Sequence, residues 1–285
     1  MSNKQNKADR REAARAEALA LQQKQVSRDK RNRVIIFTVL GVAIAALVGV
    51  AAFILVNEAS KKEVEDVALS EVENVPSTAN ADGGIPVGSD LVAGTENAGT
   101  PTVDVYLDYM CPVCGQFEDV NAADVETMAT EGDATVVYYP VSILDRLSRS
   151  TEYSTRAAAS AYWVADQAPE AFFAYNEALF ANQPDENTPG LDNEELATIA
   201  EEAGVPADVA AGISDGTARA TYGQYAYSLT NAATENPDLL NSSGSFGTPT
   251  VLVDGERFEQ WGTPGALLAA AQGGTDESSE ESSEG

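Results

Sequence analysis

The sequence predicts an α/β domain interrupted by a long helical insertion and preceded by one transmembrane helix. Three observations carry this. The β-type run Thr102–Asp108 passes almost directly into a helix-like stretch that opens at Pro112. Segments with helical spacing then fill about 151–240. Finally, Thr250–Val253 returns to strand composition ahead of Asp254-Gly255, a dipeptide suited to a two-residue hairpin turn.

The chain divides by charge. Residues 1–33 hold ten of the 17 Lys and Arg but only four of the 45 acids. Val34–Val56 contains no charge, and its 23 residues would extend about 34 Å as a helix, enough to cross a bilayer. The basic flank precedes the span and the acidic bulk follows it, which places the N-terminus in the cytoplasm and the rest outside. The apolar run exceeds the 7–15 residues or so of a cleaved signal, so an uncleaved anchor in the cell membrane is expected. Residues 57–100, rich in Ala, Gly, Ser and acids, read as a flexible linker with a short edge strand at Ile85-Pro86-Val87. The folded domain is expected over 101–272, and the Ser/Glu-rich stretch 273–285 as a disordered tail.

Within the domain, Val103, Val105 and Leu107 alternate along the first strand. The helix from Pro112 should run to about Thr130 and stop near Gly132, before a second strand, Ala134–Pro140. The insertion reads as helices over Thr155–Gln167, Glu170–Ala181, Asp192–Ala203 and Ala218–Thr234, with aromatic residues for core packing. After the hairpin, Thr263-Pro264-Gly265 should open a last helix closed by Gly273.

Chemistry concentrates at Cys111 and Cys114, the only cysteines in the sequence, in Tyr109-Met110-Cys111-Pro112-Val113-Cys114-Gly115. A bridge between them closes too short a loop to constrain the unfolded chain. The spacing instead suits thiol–disulfide exchange, in which one sulfur attacks and its neighbour resolves the mixed disulfide. The helix start supplies unpaired N–H groups and partial positive charge, which lower a thiol's pKa, and Pro112 fits the first helical position because no N–H is needed there. With no His and no further Cys, the pair lacks the two further His or Cys ligands a structural zinc site would draw on, and a Ser-His-Asp triad is excluded. No phosphate loop is present and no cofactor is called for. The acidic exported part offers no basic patch for nucleic acid. Glu194-Glu195 and Glu201-Glu202 read as solvated helix faces.

A second motif, Gly247-Thr248-Pro249-Thr250, precedes the returning strand. A trans proline there would remove a ladder donor, and a cis Thr248–Pro249 bond would solve this. A strand, Cys-Pro-x-Cys, a helix, a helical insertion, Gly-Thr-Pro-Thr, a strand and an Asp-Gly hairpin together resemble the DsbA-like branch of the thioredoxin superfamily. The likeness is closest to exported or membrane-tethered forms from actinobacteria and other Gram-positive bacteria, and it covers about residues 85–272. It implies a thioredoxin-like fold, Cys111 as the exposed nucleophile and Cys114 as the buried resolving thiol. It further implies that Pro249 is a cis-proline facing the disulfide and that the Thr248 backbone pairs with extended substrate, while Pro112 and Val113 tune the motif.

Two departures stand out. Many relatives carry an acid six positions before the first cysteine, where this chain has Val105, and strongly oxidising members often have His where Val113 lies. A weaker oxidant than the extreme DsbA type, at about −120 mV, is therefore expected. The resemblance implies an enzyme that oxidises exported proteins with free cysteines and is itself reoxidised by a quinone-linked DsbB-like or vitamin K epoxide reductase-like membrane partner. A reductase or isomerase, for example in cytochrome c maturation, and a non-catalytic tethered peptide-binding module are the alternatives.

Overall fold

The computed structural model describes residues 67–273. Its centre is a five-stranded mixed sheet in the order β1-β3-β2-β4-β5. Strand β2 (Thr102–Leu107) pairs in parallel with β3 (Thr135–Pro140) and antiparallel with β4 (Thr250–Val253). The edges are β1 (Ile85–Val87), antiparallel to β3, and β5 (Glu256–Arg257), antiparallel to β4. Both faces are covered. Val103, Val105 and Leu107 are buried, and so is Tyr106, which stacks on Tyr139 with ring centroids 4.2 Å apart. Asp254 and Gly255 both adopt positive φ, as the tight β4–β5 turn requires.

Between β2 and β3 lies α1 (Pro112–Thr130), which buries Cys114, Phe117, Asn121, Val125 and Met128 along one helical stripe. Gly132, at φ +76, ends it by turning the chain into β3. The insertion contains α2 (Tyr153–Gln167), α3 (Phe172–Ala181), α4 (Asn193–Glu202), α5 (Ala207–Ser214) and α6 (Thr217–Glu235). Helix α2 packs along α6, and its Tyr162 hydroxyl donates to the Pro140 carbonyl at 2.8 Å, tying the insertion to the sheet. Asp192 and Glu195 form a reciprocal capping box at the start of α4, a structural use for one of the acidic pairs.

Three expectations need correction. Helix α5 was not anticipated, because Val209, Ala210 and Ile213 make too short an apolar pattern to register. The last helix, α7 (Ala266–Ala271), starts later than expected, because Gly265 takes a left-handed φ of +78 and Thr263-Pro264 form a turn ahead of it. Residues 67–101 are not a free tether. Ile85 and Val87 are fully buried, the Tyr225 hydroxyl donates to Gly83 O at 2.9 Å, and Ser228 Oγ donates to Val67 O at 2.7 Å. Asn97 Nδ2 joins the end of α1 to the start of β3 by donating to the carbonyls of Ala129 and Ala134, each at 2.8 Å. Composition alone concealed this, because Gly and Asn in turns look like linker.

Among the described residues no helix is long and apolar enough to cross a membrane. The basic segment 1–33, the apolar span 34–56 and the tail beyond Gly273 lie outside those residues.

A chain that begins at residue 101 forfeits the burial of two aliphatic side chains in β1. It is expected to be less stable than one beginning at residue 67 by at least about 3 kcal/mol. Denaturant midpoints measure the difference, and equal midpoints would restore the tether reading.

Candidate active site

The two sequence motifs meet because β2 and β4 are neighbours. Tyr106 pairs with Thr250, so the chain leaving β2 at its C-terminal end passes the chain arriving at β4. Cys111 therefore lies against Thr248, 137 positions away, with its thiol donating to the Thr248 carbonyl at 3.3 Å. The Thr248–Pro249 peptide bond is cis. The Thr248 hydroxyl is buried with no hydrogen-bond partner, and the Thr248 side chain acts to lower the pKa of both thiols.

Cys111 is the N-cap of α1, in extended conformation (φ −79, ψ 114), and Pro112 is the first helical residue. Both thiols are free. The Cys114 thiol, donating toward Cys111, does most to lower the Cys111 pKa from an ordinary 9.0 to about 6. Burial opposes this, while the Thr248 side chain and the backbone N–H groups of Cys114 and Val113 assist it. Cys114 is pushed well above its ordinary value, chiefly by burial and then by Cys111 itself. One pair thus holds a ready thiolate and a reluctant one.

The exposed nucleophile implied by the resemblance is more enclosed than that. Cys111 is only 5% exposed and Cys114 1%, because the Thr248 loop packs over the sulfur. The exposed lip of the motif is Pro112 with Val113, which is 41% exposed.

The turn before Cys111 is anchored by Asp108. Its carboxylate is fully buried and accepts from Met110 N at 2.9 Å, Leu144 N at 3.0 Å and Ser154 Oγ at 2.7 Å. Its backbone carbonyl accepts from Cys111 N at 2.9 Å. Burial raises the Asp108 pKa to about 7 against the pull of those donors. Gln183, just beyond α3, donates through Nε2 to the carbonyls of Cys111 at 2.9 Å and Tyr109 at 3.2 Å. In the sequence Asp108 is only the end of the first β-type run, and nothing there marks Gln183, Leu144 or Ser154. A groove of about 490 Å³ runs beside the motif, lined by Pro112, Gly115, Gln116, Glu118, Phe180 and Gln183.

A thioredoxin family model matches residues 87–271. The chain belongs to the thioredoxin family. Its fold is similar to that of reduced DsbA from Mycobacterium tuberculosis (TM-score 0.54, 34% identity, 67% of this chain and 91% of that one). It is likewise similar to the reduced disulfide bond oxidoreductase DsbG from the same organism (TM-score 0.55, 34% identity, 68% and 88%). The chain is thus a DsbA-like thiol–disulfide oxidoreductase. The serine/threonine-protein kinase PknE of M. tuberculosis is 33% identical over 154 residues, covering 53% of this chain. The chain spans only 26% of that kinase's length.

In this DsbA-like enzyme, alkylation of the reduced protein should follow a titration with a midpoint near pH 6, below that of an ordinary thiol. The folded pKa is depressed, so the thiolate's contribution to the stability of the reduced form is complete above about pH 9 and is lost as pH falls through 6. Alkylation rates and melts across this window, compared with Cys111→Ser, check both parts. A midpoint near 9 would remove the activated sulfur.

Proposed function

We propose that the protein is a membrane-tethered, extracytoplasmic oxidase of exported proteins, and that Cys111 is the sulfur substrates attack. The carrying observation is the asymmetric thiol pair at the tip of α1 beside the cis Thr248–Pro249 bond. Supporting the location are the uncharged span 34–56 and the excess of Lys and Arg before it. Such a compartment is oxidising and supplies reduced cysteines as substrates.

In the cycle, a substrate thiolate attacks Cys111 Sγ of the Cys111–Cys114 disulfide. The sulfur–sulfur bond breaks, a mixed disulfide forms on Cys111, and Cys114 leaves and takes up a proton, as its raised pKa favours. A second substrate thiolate then attacks the substrate sulfur and expels Cys111 as a thiolate. The substrate has lost two electrons and the enzyme has gained them. A low pKa makes Cys111 a good leaving group in this second step. Thr248, in the cis-proline loop beside Cys111, presents its backbone to the extended substrate segment. Reoxidation falls to a quinone-linked DsbB-like or vitamin K epoxide reductase-like membrane partner, which accepts the two electrons.

The pKa ordering also bears on strength. A Cys111 pKa of about 6 lies between thioredoxin, at about 7, and DsbA, at about 3.5. The potential should correspondingly fall between about −270 and −120 mV. Equilibration with glutathione measures it, and a value below that range would favour the reducing direction. In cells, Cys114→Ser should accumulate mixed disulfides through Cys111, and Cys111→Ser should accumulate none. If neither variant traps a partner while the chain stays folded, the site is a non-catalytic binding module.

A further inference from the structure

We infer that Gln183 is a positioning residue for the exchange reaction, holding from the insertion the peptide units that set Cys111 at the tip of α1. The inference rests on Cys111 being the reacting sulfur. The Cys111 carbonyl already accepts from the N–H groups of Cys114 at 3.0 Å and Gly115 at 3.2 Å, and Gln183 Nε2 adds a third donor at 2.9 Å. The same nitrogen reaches the Tyr109 carbonyl at 3.2 Å. One amide therefore spans the residue before Met110 and the N-cap itself. On the other side, Asp108 holds the Met110 and Cys111 N–H groups, and the Tyr109 hydroxyl donates to Asn176 Oδ1 of α3 at 2.9 Å.

A second observation concerns Gly115, the residue after the motif. A Cβ built there would lie 2.6 Å from Gln183 Oε1, closer than side chains tolerate. Any larger residue at 115 requires the Gln183 side chain, whose Nε2 makes both bonds, to shift. In the interior of a helix, glycine is otherwise disfavoured relative to alanine. Its presence in the first turns of α1 thus has a local reason, which is to leave room for the glutamine.

The consequence is chemical because the backbone N–H groups of Val113 and Cys114 at the helix start lower the Cys111 pKa. Their aim depends on the backbone angles of the N-cap, which the Cys111 carbonyl sets. Gln183 is only partly buried at the groove mouth, so its packing contribution is small and its donors carry the effect.

The test compares Gln183→Ala, Gln183→Glu, Gly115→Ala and the Gly115→Ala/Gln183→Ala double variant in the full-length chain. The readouts are the pH midpoint of Cys111 alkylation, the exchange rate with a cysteine-containing peptide and the melting temperature. Both Gln183 variants should raise the midpoint and slow exchange about 2- to 10-fold, as expected for one lost hydrogen bond. Gln183→Glu keeps the shape but turns acceptors toward two carbonyls, so it should be at least as impaired as the alanine variant. Gly115→Ala should reproduce the slower exchange without lowering the melting temperature, and the double variant should be no worse than either single one. A Gln183→Glu protein with wild-type midpoint and rate, or strictly additive losses in the double variant, would overturn the inference. If instead the wild-type midpoint is that of an ordinary thiol, the redox reading itself fails, and the two failures are distinguishable.

Discussion

The structure depends on one register. Pairing Tyr106 with Thr250 aligns the exit of β2 with the start of β4, and only then do Cys111 and the Thr248 carbonyl touch. A slip by one residue would invert every side chain of β4 relative to the core. It would carry Val251, now 1% exposed, out of the interior. The buried faces on both sides of the sheet therefore enforce the contact between the two motifs. The site is precise because its two halves follow adjacent strands, which makes the insertion's length irrelevant to their meeting.

The insertion is nonetheless not a passive loop. Asp108, Tyr109 and Cys111 each receive or give a hydrogen bond to residues between β3 and β4: Leu144 and Ser154, Asn176, and Gln183. A buried carboxylate is costly to desolvate, and three donors offset this only while all three remain in place. Asp108 is thus an anchor whose stability requires the insertion to dock. Loss of docking would unseat the turn that precedes the nucleophile, so folding of the insertion and geometry of the thiol are linked.

Much of this was legible in the sequence because it is local. The period of two in Thr102–Leu107, the proline at the first helical position and the Asp-Gly turn each act over a few residues, and the observed elements follow them closely. The cis geometry before Thr250 was legible because a proline facing a central strand has few other solutions. What stayed hidden is non-local. Gln183 is 72 residues from Cys111, and nothing in Asn182-Gln183-Pro184 distinguishes it from a loop glutamine. The packing of residues 67–101 was hidden for the opposite reason: turn-rich composition looks like a tether unless its few apolar residues, such as Ile85 and Val87, are known to be buried.

At Val105 the chain has no acid to offer the thiols. The side chain is fully buried where many relatives place an acid, and the neighbouring acids do not replace it. Asp104 points with Tyr106 and Tyr139 into a separate cavity of about 310 Å³, and the Asp108 carboxylate is committed to its three donors. Cys114 therefore shares its proton chiefly with Cys111, and burial keeps its pKa high. In the proposed oxidation cycle this asymmetry acts as a gate. Escape of a mixed disulfide by internal attack needs Cys114 as a thiolate, the form that burial disfavours, whereas attack by a second substrate thiol needs only Cys111 as the leaving group. Burial of Cys114 thus slows return to the starting disulfide and leaves the productive step untouched.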